Sequence, residues 1–264
     1  MRSITIGYHD IAPGPLESVS RTARFPRSVY TLDRGAFREH LAAIRSSRGR
    51  TIGLVGTPGN NGSETPIFLT FDDGYLSSYT IVADELERYN WRGHFFIPTD
   101  WIGRAGYMDA DQIRELRRRG HLIGSHSCSH PERMSALPMA DLLWEWARSC
   151  AILESILGEA VNTASVPNGY HSRAVTTAAS AAGIRVLFTS EPTSAERHDG
   201  ECRVLGRYAL QRRARAATAG AIAAGHIRPR WKQSLWWHAR EPVKMLTGDS
   251  YFLLRRWLLS RAVH

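Results

Sequence analysis

Two adjacent carboxylates, Asp72 and Asp73, close a short apolar run, Ile67-Phe68-Leu69-Thr70-Phe71, and are followed by Gly74 and Tyr75. Neighbouring like charges repel, so such a pair needs a cation or a shared proton when it is buried. Downstream, His126-Ser127-Cys128-Ser129-His130 sets two imidazoles four residues apart. If that segment curls into a helical turn, both rings share one face. Two imidazoles and one carboxylate with an open position suit Zn²⁺ or a similar ion carrying a water. The second carboxylate would then be free to act as a base on that water, which requires two acids in different environments. Each motif also has a plainer reading, because Asp-Asp-Gly is an ordinary turn and two histidines can sit on a surface loop. Cys128 lies two residues from each histidine, points away from their face in a turn, and is a poor third ligand.

These groups need elements to carry them. The run ending at Phe71 reads as a buried strand that delivers both acids to one edge of a sheet, where α/β enzymes place their chemistry. Other strands are expected at 3–8, 51–55, 94–98, 121–124, 161–166, 185–188 and 204–210. Helices are expected from Asp33 to about Ser46, from Ser77 or Ser78 to about Asn90, from Asp109 to Arg119, and from Leu137 to Leu157. Another follows the Pro167-Asn168-Gly169 turn and runs through Ala182. In the helix from Leu137, the inward face is read as Leu142, Leu143, Trp146, Cys150, Leu153 and Leu157. Strands alternating with helices predict an α/β chain with a largely parallel sheet, open or closed into a barrel.

The 264 residues are enough for one large α/β domain with a substantial core, or for two small ones. With 43% hydrophobic and 22% charged residues, the composition excludes wholesale disorder. Three distant cysteines without a CxxC argue against a disulfide framework or a zinc ribbon and fit a reducing compartment. The N-terminus lacks a basic segment followed by an apolar core and cleavage site. No stretch approaches the roughly 20 apolar residues of a membrane span. The expected location is therefore cytoplasmic.

Thr70-Phe71-Asp72-Asp73-Gly74-Tyr75 followed by His126-Ser127-Cys128-Ser129-His130 resembles the polysaccharide deacetylase family, the NodB homology domain of carbohydrate esterase family 4. The resemblance spans residues 1 to about 210 and implies a distorted (β/α) barrel of the NodB-homology type. It also implies metal-dependent hydrolysis of N-acetyl groups from sugars. Carried over by position, Asp72 resembles the catalytic base, and Asp73, His126 and His130 resemble the metal ligands, with Zn²⁺ as the expected ion. The family's third motif, Arg-x-Pro-Tyr-Gly, is here Ser165-Val166-Pro167-Asn168-Gly169. The turn survives and offers the Asn168 backbone N–H as an oxyanion donor. The arginine that tethers the base in the family is missing, which leaves the orientation of Asp72 without a cause. No Leu-x-His follows Phe188. Instead Tyr8-His9-Asp10-Ile11 resembles the Tyr-His motif of a branch that includes biofilm poly-N-acetylglucosamine deacetylases. In that branch the N-terminal histidine is the acid, a role that falls here to His9.

The net charge of +9 is concentrated at one end. Residues 211–264 hold 11 basic and 2 acidic residues, whereas residues 1–210 hold 23 of each. Half of the eight tryptophans, Trp231, Trp236, Trp237 and Trp257, lie in the same segment. It reads as a basic helical extension, with a helix from Asp249 to Arg261. Mixed Trp and Arg/Lys suits an anionic membrane surface, and equally suits packing back on the barrel with a solvated charged face. The charge alone would fit nucleic acid, but no motif supports that partner. The chain thus reads as a catalytic domain over 1–210 and an extension over 211–264. The expected enzyme removes N-acetyl groups from a glycan or lipid-linked saccharide in exopolysaccharide synthesis, at the inner face of the membrane. An amidase with a non-sugar substrate and an inactive glycan-binding module remain alternatives. Oligomeric state is not set by the sequence.

Overall fold

The structure, a computed structural model, describes residues 2–15, 29–47, 50–56, 65–235 and 237–239. The elements follow in chain order: β1 (Ile4–Tyr8), β2 (Ile11–Ala12), β3 (Leu32–Asp33), α1 (Arg34–Arg45), β4 (Ile67–Phe71), α2 (Ala83–Glu87), β5 (His94–Ile97), α3 (Ala110–Arg118), β6 (Leu122–Ser125), α4 (Met139–Leu157), β7 (Thr163–Ser165), α5 (Arg173–Ala181), β8 (Val186–Phe188), β9 (Glu196–Asp199), β10 (Cys202–Leu205), β11 (Tyr208–Ala209) and α6 (Ala216–Ala223). Residues 227–235 and 237–239 are also helical and are called α7 here. The Asp249–Arg261 helix expected from the sequence lies outside the described residues.

Nine strands form one curled sheet in the order β11-β1-β4-β5-β6-β7-β8-β10-β9. Every pairing is parallel except β10 with β9. The result is a half-barrel with helices on its outside, as the alternating pattern predicts. Register brings the chemistry together. Tyr8 pairs with Phe71, Ile97 with Ser125, and Ser165 with Phe188. The residues that follow β1, β4, β6 and β7 therefore leave the sheet along one edge.

Beneath that edge Tyr8, Phe71 and Phe95 stack, with ring centroids 5.6 and 5.1 Å apart, and Phe37 meets both Tyr8 and Phe71 edge-on. These buried rings fill the centre of the core and support the strand ends above. The helix caps behave as their chemistry requires. Asp33 accepts from the Ala36 N–H, and Asp109 forms a capping box with Gln112.

Four expectations shift. The stretch 204–210 is not one strand. It breaks at Gly206-Arg207, so β10 pairs with β8 while β11 pairs with β1. The helix after Tyr75 begins with a π segment, Ser78–Val82, and Ser77 does not cap it; its hydroxyl donates to Asp10 and accepts from the Ile11 N–H. Residues 51–55 contribute only a bridge at Ile52. Leu143 does not face inward but is 37% exposed, beside Trp144 at 50%, because the inner stripe of α4 runs through Leu142, Trp146, Cys150 and Leu153. No helix among the described residues is long and apolar enough to cross a membrane.

Two buried histidines couple this fold to pH. His94 donates from Nδ1 to the Leu69 carbonyl and accepts from the Val55 N–H at Nε2. His121 accepts from the Gly93 N–H at Nδ1 and donates from Nε2 to Glu87. Both rings are thereby held neutral, and burial pushes each pKa down to about 4. Between pH 6.5 and 4 the unfolded chain binds protons that the folded chain refuses, so stability falls as pH falls through this window. Each histidine can cost up to about 3 kcal/mol by the lower end. Urea denaturation is expected to show the loss starting between pH 6.5 and 5, above the range of ordinary carboxylates; a flat profile there contradicts it.

Candidate active site

Asp72 and Asp73 leave β4 in different directions. Asp72 continues the extended chain, its N–H donating to the Tyr8 carbonyl, and its carboxylate is buried. Asp73 turns in the left-handed region with φ 70°. Each acid then has its own cations. Asp72 Oδ1 accepts from Arg207 Nη1 at 2.7 Å, and Ser165 Oγ stands 3.4 Å from Oδ2. Arg207 is itself buried and donates from Nε to the Thr189 carbonyl at 3.0 Å. Burial pushes the Asp72 carboxyl up, but Arg207, His126 and His9 outweigh it and hold the group below the ordinary carboxylate range. Burial likewise raises Asp73, and its contacts with His126 and His130 pull it well below.

Arg207 answers the question left by the third motif. Ser165 occupies the position of that motif's arginine and still touches Asp72, but its short side chain leaves the charge to be supplied from elsewhere. Arg207 supplies it from the break between β10 and β11. A Cβ on Gly206 would lie 2.4 Å from the Glu191 carbonyl oxygen, so only glycine lets the chain pass there and carry Arg207 inward.

His126 and His130 converge, though not through a helical turn. Residues 126–130 form an irregular loop with Ser127 at φ 64° and His130 at φ 57°. His126 donates from Nδ1 to the Ser165 carbonyl at 2.8 Å, which leaves Nε2 facing Asp73. His130 is held by Ser127 Oγ at its N–H and by Trp101, whose ring centroid lies 4.7 Å from its own. Glu145 of α4 accepts from the N–H groups of Cys128 and Ser129 and from the Ser129 hydroxyl, so one buried carboxylate pins the loop. Cys128 is buried with Sγ toward Asp100, away from the histidine nitrogens.

Nε2 of His126 and Nε2 of His130 each lie 3.4 Å from Asp73 Oδ1, and the three donor atoms lie within 4.8 Å of one another. Ligands about 2.1 Å from a tetrahedral ion stand roughly 3.4 Å apart, so this cluster fits Zn²⁺ or an ion of similar size. Asp72 Oδ2 is 3.9 Å from His126 Nε2, beside the cluster.

His9 leaves β1 at the same edge. Its ring stacks on Tyr30 at 4.5 Å, and its Nδ1 is buried without a hydrogen-bond partner among the described residues. Burial lowers its pKa, while Asp73 and Asp72 pull it up. Asn168, at φ 53°, holds the turn after β7, and its side chain donates to the Glu132 carbonyl. Five non-glycine residues among those described have left-handed φ. Four of them, Asp73, Ser127, His130 and Asn168, belong to this site. Such backbone persists where its surroundings over-determine it, and it clusters where side chains must be aimed.

Of the six residues singled out in the sequence, the structure gathers His9, Asp72, Asp73, His126 and His130 at one edge of the sheet and sets Asn168 in the turn after β7. Sequence reasoning missed Arg207, Ser165 as a contact of Asp72, and Glu145. A signal for Arg207 existed. It is the lone charge within Val204-Leu205-Gly206-Arg207-Tyr208-Ala209-Leu210, and a cation in a buried run needs a buried anion.

The fold and this cluster define a class: a half-barrel hydrolase-type scaffold with an Asp-His-His centre and a second, separately tethered carboxylate. Residues 59–187 match the polysaccharide deacetylase family. It is 25% identical over 210 residues to YxkH of Bacillus subtilis, covering 78% of this chain and 68% of that protein. It is 38% identical over 76 residues to the peptidoglycan-N-acetylmuramic acid deacetylase PdaA of Bacillus subtilis, 27% of this chain and 26% of that protein. In fold it is similar to IcaB from Ammonifex degensii, with a TM-score of 0.67 and 21% identity, covering 84% of this chain and 97% of that one.

Arg207→Leu is expected to destabilise the fold by about 3–5 kcal/mol, because it strands a buried carboxylate. Adding Asp72→Asn should recover much of that loss. Urea unfolding of both variants checks the pairing; a single-variant cost under about 1 kcal/mol, the size of a surface pair, would contradict it.

Proposed function

We propose that the chain removes N-acetyl groups from an N-acetylhexosamine-containing glycan or lipid-linked saccharide. The observation that carries this reading is the division of the carboxylate pair, with Asp73 in the His126–His130 cluster and Asp72 beside it on its own arginine. Asp73, His126 and His130 would hold a divalent ion, with Zn²⁺ the best fit. Such an ion supplies Lewis acidity toward water and the acyl oxygen.

The chain's own residues do the rest. Asp72 is ionised at neutral pH and takes a proton from the attacking water. Arg207 and Ser165 keep its carboxylate aimed, so the base does not have to be ordered during the reaction. The Asn168 N–H is the proposed donor to the oxyanion. His9, in its protonated form, is the proposed donor to the departing amine; burial lowers its pKa, and the charges of Asp73 and Asp72 oppose that shift only in part. Acetate and a free amino sugar leave.

Arg207 also bears on the inactive-module alternative. That reading rests on the absent third-motif arginine and on the displaced acid, and a buried arginine on the same carboxylate answers the first of these. We further propose a cytoplasmic location and a role in exopolysaccharide synthesis, in which residues 1–210 carry the chemistry.

Purified protein supplied with Zn²⁺ is expected to release acetate from defined N-acetylated oligosaccharides. Asp72→Asn should reduce release by about 10²–10⁴-fold while keeping the metal, and His9→Gln should fall in the same range. Asp73→Asn and His126→Ala should lose the metal itself, measured by elemental analysis of the purified protein. Undiminished release by Asp72→Asn would overturn the assignment of the base.

A further inference from the structure

Helix α7 has two faces with different surroundings. On one, Arg230 donates to the Tyr208 hydroxyl at 2.9 Å and to the Gly225 carbonyl at 3.2 Å, and Gln233 donates to the Ala209 carbonyl at 3.3 Å. Further along the same face, Trp237 reaches the turn after β7: a Cβ on Gly169 would stand 3.0 Å from its ring. Positions 230, 233 and 237 share one side of a helix, so this face is fastened from β11 to the turn that carries Asn168.

The other face is exposed among the described residues. Ile227, Trp231 and Leu235 follow one another at four-residue steps and are 77%, 62% and 46% exposed. Arg228 and Lys232 are also exposed, each next in sequence to a member of that stripe. From 211 to 239 the chain has six basic residues and no acidic one. Three exposed apolar side chains offer little area to a protein partner, which needs roughly 800 Å² per side. The same side chains interleaved with cations suit the headgroup region of an anionic bilayer, where Trp and Leu enter the acyl boundary while Arg and Lys stay among phosphates. A helix is about 10 Å across. A bilayer on the outer face would therefore lie about one helix diameter from the Gly169 turn.

We infer that the outer face of α7 docks the protein on an anionic lipid surface and sets the site edge beside the headgroups. Resting on the proposed deacetylase activity, this makes the substrate a saccharide carried on a lipid in that surface, rather than free polymer. The docking itself does not depend on the chemistry.

Flotation of the full chain with vesicles tests it. The protein should rise with phosphatidylcholine–phosphatidylglycerol vesicles and remain below with phosphatidylcholine alone. W231E/L235E should abolish flotation, and R228Q/K232Q should weaken partitioning by about 30-fold, given the typical worth of two cations near an anionic surface. Both sets of positions are exposed, so each variant should keep the wild-type melting temperature and its acetate release from a water-soluble oligosaccharide. No flotation with the anionic vesicles overturns the inference, as does flotation unaltered in both variants. A dimer that W231E/L235E disperses, with no vesicle binding, would assign the face to a second copy instead. Flotation without acetate release from any substrate would leave the docking face standing and defeat the deacetylase reading.

Discussion

The site depends on keeping two adjacent carboxylates charged at the end of a buried strand. Side by side in a low-dielectric interior they would raise each other's pKa, and one would be protonated. The structure prevents this by separating their cations. Asp73 turns through a left-handed φ toward two imidazoles, and Asp72 stays extended and meets a guanidinium. Gly206, which lets Arg207 turn inward, Ser165, which shares the second oxygen of Asp72, and Glu145, which fixes the histidine loop, all serve that separation.

Much of this arrangement was legible in the sequence because it is local. The Asp-Asp-Gly end of a strand and the His-x-x-x-His spacing are short-range patterns, and the strand–helix alternation required a parallel sheet with its chemistry at one edge. What the sequence obscured was non-local. Arg207 meets an acid 135 residues away, and nothing in its neighbours says which acid. The break in 204–210 is invisible to periodicity because both halves are apolar and β-forming. Four-residue spacing is a helical signature, so the sequence offers convergence of the two histidines only on condition of a helical turn. Two left-handed residues achieve the same convergence without a helix. Leu143 misled for a related reason: α4 is apolar on more than one side, so its composition did not reveal which stripe was buried.

The described part of the basic segment is woven into the barrel. α6 buries Ala219, Ile222 and Ala223, and Gly220 lies against the backbone of Ala43 in α1. His40 of α1 contacts the Ala214 carbonyl at 2.9 Å. α7 then crosses to the turn after β7. Stability and surface chemistry meet in α7, whose inner side is fastened to the fold and whose outer side carries Arg228 and Lys232.

The break at Gly206-Arg207 also orders events in time. A ribosome makes Asp72 early and its partner 135 residues later, a delay on the order of ten seconds at ordinary elongation rates. During that interval β4 can pair with β1, but its acid has no buried counter-charge and stays in water. A chain ended before Arg207 would lack the guanidinium that meets Asp72, so the last strand completes the charge balance that the first motif requires.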